Sequence, residues 1–162
     1  MADHPLYSAF GRAVERAIKA DPRVILITCD TARDHFAHHL QKEYPLQAID
    51  VGIAEQHAVS MASALAISGM KPIVCTYARF LTRAYEQIYN QMSEHTAVVY
   101  VGSLAGPLPP DGPGVSHEAL EDFSAMGGLG LACTEPSVEQ VDLALRLALR
   151  GTKSWYLRLR HV

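Results

Sequence analysis

The stretch "DVGIAEQHAVSMASALAISGMKPIVCTY", Asp50–Tyr77, decides the fold. It opens at the end of a short apolar run, "QAIDV", and continues into a helix-forming segment, "AEQHAVSMASALAIS". Gly69 stops that helix and Pro72 lies just beyond it, the usual order at a helix C-terminus. "KPIVCTY" then reads as a strand. A strand, a helix and a strand in this order form a parallel unit, because the helix carries the chain back across the sheet.

The same alternation runs outward in both directions. "LYSAFGRAVERAIKA" sets Leu6, Phe10, Val14, Ala17 and Ile18 on one helical face. "RVILITCD" is β-branched and too apolar for a strand with one wet side. "ARDHFAHHLQKEY" reads as a helix, "FLTRAYEQIYNQM" as another, and "AVVYVG" as a strand. "LAGPLPPDGPGVS" is a Gly/Pro loop. "HEALEDFSAM" reads as a short helix and "LGLACTEPS" as a strand and its exit. "SVEQVDLALRLALR" reads as a helix with Ser137 and Gln140 placed as a capping box and Gly151 as its stop. "SWYLRLR" is a last strand. Continuous apolar strands separated by helices predict an α/β fold: a doubly wound, mostly parallel sheet of about six strands, covered on both faces. Residues 1–162 read as a single domain without repeats or low-complexity segments. In the central helix Ala54, Ala58, Ala62 and Ala66 recur every four residues. Such a ridge of small side chains serves either close packing on the sheet or a contact with another subunit or domain.

Composition narrows the function classes. The net charge is −3 with both signs spread along the chain, so no phosphate-tracking surface is expected and nucleic acid is not an expected partner. The longest mostly apolar run, Ala58–Met70, contains serines and is too short for a bilayer span, so no membrane partner is expected. Cys29, Cys75 and Cys133 are far apart and form no CxxC pair, which fits a reduced, cytoplasmic protein.

Ligands of open α/β sheets gather at the carboxyl ends of the strands. Glu55 follows one such end. Tyr77, Arg79 and Phe80 follow another. Ser103 and the loop carrying Asp111 and His117 follow a third. Glu55 alone could simply be a first-turn carboxylate favoured by the helix dipole. Leu81, Ala84, Tyr85, Ile88 and Met92 make the buried stripe of their helix, while Phe80, Arg83 and Gln87 share a different face, which frees Phe80 from core duty. His35 and His39 share a helical face beside His38, but no paired cysteine or third ligand supports a metal; they read as solvated histidines, and no metal-ligating residue is assigned to this chain.

At this point the pieces fall into a known order. "DPRVILIT", "DVGIAEQHAVSMASALAISGMKPIVCTYARFLTRAYEQI", "DGPGVSHEALED", "TEPSVEQ" and "WYLRLR" together resemble the pyrimidine-binding domain of transketolase and of 1-deoxy-D-xylulose-5-phosphate synthase. The resemblance covers nearly the whole chain. It implies that Glu55 bonds ring nitrogen N1′ of the aminopyrimidine of thiamine diphosphate, and that sharing a proton there favours the imino form that activates the cofactor. It implies that Phe80 stacks on the same ring, with Tyr77 and Arg83 near cofactor and substrate. His117 and Asp111 match the His and Asp of the family's "DG-x-T-H" loop, so His117 is a catalytic candidate facing the substrate and Asp111 a substrate contact. Arg160 and His161 fall near the family's phosphate-binding Arg.

The chain also departs from the family. Its loop reads "DGPGVSH", two residues longer than "DG-x-T-H". Leu104 stands where synthase-like members carry a substrate Arg, and Gly102 near where transketolases carry a His. The family holds the cofactor's diphosphate through Mg²⁺ in a separate domain, with a "GDG" motif followed by Asn. Here the only Asn, Asn90, precedes the only "DG", Asp111-Gly112. The resemblance therefore implies one subunit of a split enzyme, with Mg²⁺ on a diphosphate-binding (PP) partner subunit, a third domain absent, and a hetero-oligomer such as a heterotetramer acting on a small sugar or keto substrate. The expected activity is transketolase-like ketol transfer. Two alternatives stay open: a synthase-type carboligase using an α-keto acid donor, and a non-catalytic binding or regulatory module of the same fold. Glu55 and Phe80 standing together speak against the last.

Overall fold

The computed structural model describes residues 4–35, 37–110 and 112–161. The strands are β1 (Val24–Thr28), β2 (Ala48–Asp50), β3 (Lys71–Tyr77), β4 (Val99–Ala105), β5 (Ala132–Thr134) and β6 (Trp155–Arg160). They form one six-stranded sheet in the order β2-β1-β3-β4-β6-β5, and every neighbouring pair is parallel. The helices are α1 (Pro5–Ala20), α2 (His38–Glu43), α3 (Glu55–Ile67), α4 (Ala78–Leu81), α5 (Tyr85–Ser93), α6 (Asp122–Gly128) and α7 (Val141–Arg150).

Strand periodicity sorts the core into two layers. Val24 and Leu26 face α1, α2 and α7 together with Phe10, Val14, Leu40 and Leu145. Ile25 and Ile27 face the opposite way, toward α3, α5 and α6, with Val59, Ile88 and Met126. Both faces are covered, which is why these strands carry continuous apolar runs. The expected doubly wound α/β sheet is therefore the observed one.

Three local readings are corrected, and the alanine ridge is explained in part: Ala58 and Ala62 are wholly buried on the sheet side of α3, while Ala54 and Ala66 are half-buried. The segment "ARDHFAHHLQKEY" is helical only over α2; the residues before it turn, because His35 is drawn inward by tertiary hydrogen bonds. "FLTRAYEQIYNQM" is broken into α4, a 3-10 turn at Thr82–Ala84, and α5. The Thr82 hydroxyl donates to the Arg79 carbonyl at 2.6 Å, a local bond that competes with a regular helix. Leu81, Ala84 and Ile88 are buried as expected, but Tyr85 is exposed. At the last helix, half of the expected capping box forms: Gln140 Oε1 accepts the Ser137 N–H at 3.0 Å, while the Ser137 hydroxyl turns to Glu139 instead.

The pairing of β4 with β6 shifts register between Gly102 and Ala105. Leu104 there takes φ 54°, a left-handed conformation, and its N–H donates to the Tyr7 hydroxyl oxygen at 3.0 Å. A side chain from α1 thus satisfies a backbone donor that the sheet leaves over. At Gly102 a Cβ would lie 2.3 Å from the Tyr156 hydroxyl oxygen, so only glycine fits beneath that ring.

Candidate active site

The carboxyl ends of β1 and β2 are tied by Asp50. Its carboxylate accepts the Thr28 hydroxyl at 2.6 Å, the Asp30 N–H at 3.1 Å and the Gly52 N–H at 2.8 Å. Gly52 turns the chain with φ 71°, and α3 starts three residues later at Glu55. No side chain caps this helix, so its first-turn N–H groups favour a carboxylate at its start.

Glu55 is buried, at 3% exposure. Its Oε2 lies 4.0 Å from Arg83 Nη1, and its Oε1 is buried with no hydrogen-bond partner among the described residues. A buried carboxylate oxygen left unmatched costs on the order of 1–3 kcal/mol or more, so such atoms are rare unless a ligand completes them. Cys29 lies in the same neighbourhood; burial, and after it the Glu55 charge, pushes its thiol up to about 12.

Past the carboxyl end of β3 stands a cluster of three rings. Phe80 and His117 are 5.0 Å apart between centroids, Tyr77 and Phe80 5.6 Å, and Tyr77 and His117 6.0 Å. Phe80 is only half-buried, consistent with a ring held out of the core. The Tyr77 hydroxyl donates to Asp34 Oδ2 at 2.5 Å. Burial, then this bond, raises the Tyr77 pKa, so its proton stays on at neutral pH. His117 sits in a 3-10 turn entered through Gly114 at φ 89°.

Glu55, Tyr77, Phe80, Arg83 and His117 therefore share one rim of the sheet. Arg160 and His161 make their contacts elsewhere. Arg160 lies 3.6 Å from Glu135, and the His161 ring stacks on His4 with Nδ1 3.5 Å from the Tyr7 hydroxyl. Asp111 lies outside the described residues.

Sequence reasoning missed Asp34 and misplaced His35. His35 is not a solvated histidine but a wholly buried one. Nδ1 lies 2.7 Å from the Thr31 carbonyl oxygen and must donate to it; Nε2 then accepts the Ser103 hydroxyl at 2.5 Å. The only sequence signal was the Thr31-to-His35 spacing, which also fits a helix.

Burial dominates at His35 and, against the opposing pull of the Thr31 carbonyl, holds its pKa down to about 4 from an ordinary 6.5. The unfolded chain therefore takes up a proton that the folded chain refuses. The stability this neutral histidine contributes is complete above the unfolded value and is lost as pH falls toward the folded one. About 2 kcal/mol should disappear between about pH 7 and about pH 5. Urea midpoints at the two pH values measure this, and His35→Gln should flatten the difference. Equal slopes in the two chains would show that other groups carry it.

Comparison with known proteins agrees with this fold. The family described as "Transketolase, pyrimidine binding domain" matches residues 5–160. A 1-deoxy-D-xylulose-5-phosphate synthase from Cyanothece sp. is 43% identical over 122 residues, which are 74% of this chain and 19% of that protein. The corresponding synthase of Thermosynechococcus vestitus is 40% identical over the same fractions. The chain thus spans about a fifth of the length of these curated relatives. Among solved structures, a "Split gene transketolase, inactive beta4 tetramer" superposes with a TM-score of 0.81 at 26% identity, over 94% of this chain and 50% of that one. A transketolase from Leishmania mexicana superposes with a TM-score of 0.84 over 95% of this chain and 25% of that one; at 18% identity it speaks for the fold alone. The chain belongs to the transketolase pyrimidine-binding domain family.

Proposed function

We propose that this chain supplies the pyrimidine half of a thiamine-diphosphate-dependent, transketolase-like active site, and that a PP-domain partner subunit supplies the diphosphate half with its Mg²⁺. The observation that carries the reading is the Glu55 Oε1 atom, buried without a partner among the described residues at the rim of the sheet that also carries the half-buried Phe80 ring. These residues fit an aminopyrimidine. Glu55 would hold the proton at N1′, and Phe80 would stack on the ring, worth on the order of 1 kcal/mol beyond burial. When bound, thiamine diphosphate supplies the carbon–carbon bond chemistry that no side chain can perform.

This chain's own residues do the rest. Arg83, exposed and 4.0 Å from Glu55, balances the carboxylate without locking it in a close ion pair. Tyr77, kept protonated and oriented by Asp34, spends its one proton there and presents its hydroxyl oxygen as a fixed acceptor near Phe80. His117 stands across both rings, where it can exchange a proton with a substrate hydroxyl or carbonyl. Asp111 and, more distantly, Arg160 and His161 are the remaining substrate-contact candidates. The split transketolase neighbour is described as inactive in its β4 form, which supports a need for a second chain here.

A second reading is favoured by one observation. The identity to 1-deoxy-D-xylulose-5-phosphate synthases reaches 43%, against 26% to the split transketolase. An α-keto acid donor is therefore the alternative to a ketose. Pull-down of the tagged chain from its native lysate with thiamine diphosphate and Mg²⁺, followed by assay of the complex with ketose and with α-keto acid donors, tests both. A partner carrying "GDG" and a downstream Asn, with ketose turnover, is the expected result. A complex inert toward either donor would leave a binding module as the better account.

A further inference from the structure

We propose that Asp34 is a specificity-determining residue, which makes the substrate end of this site take an uncharged, hydroxyl-bearing chain end in preference to a phosphorylated one. The inference rests on the function proposed above and names its substrate class.

The geometry begins at Tyr77. Its ring packs on Phe80 and His117, and its hydroxyl meets Asp34 Oδ2 at 2.5 Å. Asp34 therefore stands one side chain away from the surface that receives the ligand. An ionised carboxylate has about four acceptor positions, and Tyr77 uses one. The half-buried Asp34 also lines a cleft of about 450 Å³ together with Asp30, Asp50, Arg33, His38 and Lys42. Asp34 lies against the Tyr77 hydroxyl, and after burial the charges of Asp34 and Asp30 both help raise the Tyr77 pKa.

The nearby cations do not reverse this. Arg158 is committed to Asp122 and Glu135, Arg160 faces Glu135, and Arg83 faces Glu55. Arg33, Arg79, Lys42 and His38 are exposed, and exposed charges are screened over about 8 Å at physiological salt. The carboxylate fixed on Tyr77 is screened less. A sugar hydroxyl can donate to Asp34. A phosphate dianion has no proton to offer it and meets a like charge, so it is rejected both by repulsion and by an unmatched acceptor.

The test compares kcat/KM of the assembled holoenzyme for a free aldose acceptor and its terminal phosphate ester. Wild type is expected to favour the free sugar by about tenfold or more. Asp34→Asn keeps an acceptor for Tyr77 but removes the charge; it should narrow that ratio about tenfold, chiefly by lowering KM for the phosphorylated acceptor. A wild-type preference for the phosphate ester overturns the inference, and so does an equal loss on both substrates, which marks a merely structural role. A measurement independent of turnover is the His117 ring resonance of the chain titrated with inorganic phosphate. It should stay still in wild type and move in Asp34→Asn; movement in wild type overturns the proposal. Failure of the functional reading itself looks different, since it leaves Glu55→Gln without effect on either substrate.

Discussion

Glu55→Gln lowers turnover of the assembled enzyme by about 10²- to 10⁴-fold, the range in which a positioned proton-transfer group contributes to catalysis. The side chain keeps its length and volume, so the helix start and the packing around Ala58 and Val59 are preserved. What changes is the charge and the ability to hold a proton. A buried oxygen without a partner is a cost to the folded chain, and an amide carries a smaller one. The isolated Glu55→Gln chain should therefore melt no lower than wild type. The two readouts move oppositely: stability holds or rises while activity collapses, as at sites kept for function rather than stability. The melting gain that thiamine diphosphate and Mg²⁺ give the complex should shrink as well. Full activity in the variant complex would remove Glu55 from the mechanism. A variant that also melts far below wild type would show that the carboxylate serves the fold.

The architecture was legible because its signals are local. Apolar runs such as Val24–Thr28 and Ile73–Cys75 are buried on both sides, and Gly69 and Gly151 end helices where they stand. Glu55 and Phe80 stood out in the sequence through the company they keep, and the structure buries the first and leaves the second half-buried. What escaped was set by tertiary contacts. Asp34 and Tyr77 are 43 residues apart in sequence, and His35 and Ser103 are 68 apart. No periodicity separates a turn whose histidine bonds a distant strand from a short helix carrying the same residues. Tyr85 took a position on a helical stripe that ceases to exist once Thr82 breaks the helix. The alanine ridge was ambiguous for a related reason: the spacing fixes a face, and only the packed structure says what covers it.

The largest effect on stability is expected at Asp122. This carboxylate is wholly buried at the start of α6. It accepts Arg158 Nε at 2.9 Å and Nη2 at 3.0 Å, and the Tyr156 hydroxyl at 2.5 Å. Arg158 spends its other donors on Glu135 at 2.7 Å and on the Ala119 carbonyl at 3.0 Å. One side chain thus ties α6 and the end of the Gly/Pro loop to β6, and it positions the Tyr156 ring that lies over Gly102. Burial, then the Asp122 charge, drives the Tyr156 pKa well above its usual range, so the phenol remains a donor. Asp122→Ala takes the main partner from a largely buried guanidinium, which keeps Glu135 and the Ala119 carbonyl, and leaves a buried hydroxyl without its acceptor. Breaking one partner of such a buried pair costs about 3–5 kcal/mol, which in a chain of this size lowers Tm by roughly 10 °C. Replacing both charges with apolar groups, Asp122→Leu with Arg158→Met, should cost less than Asp122→Ala alone, because the only charge that loses its partner is the exposed Glu135. Thermal melts of the single and double variants decide the matter. If Asp122→Ala melts with wild type, the network is incidental; if the double variant is the worst of the set, the pair stabilises the fold through its attraction rather than through the penalty of leaving either charge alone.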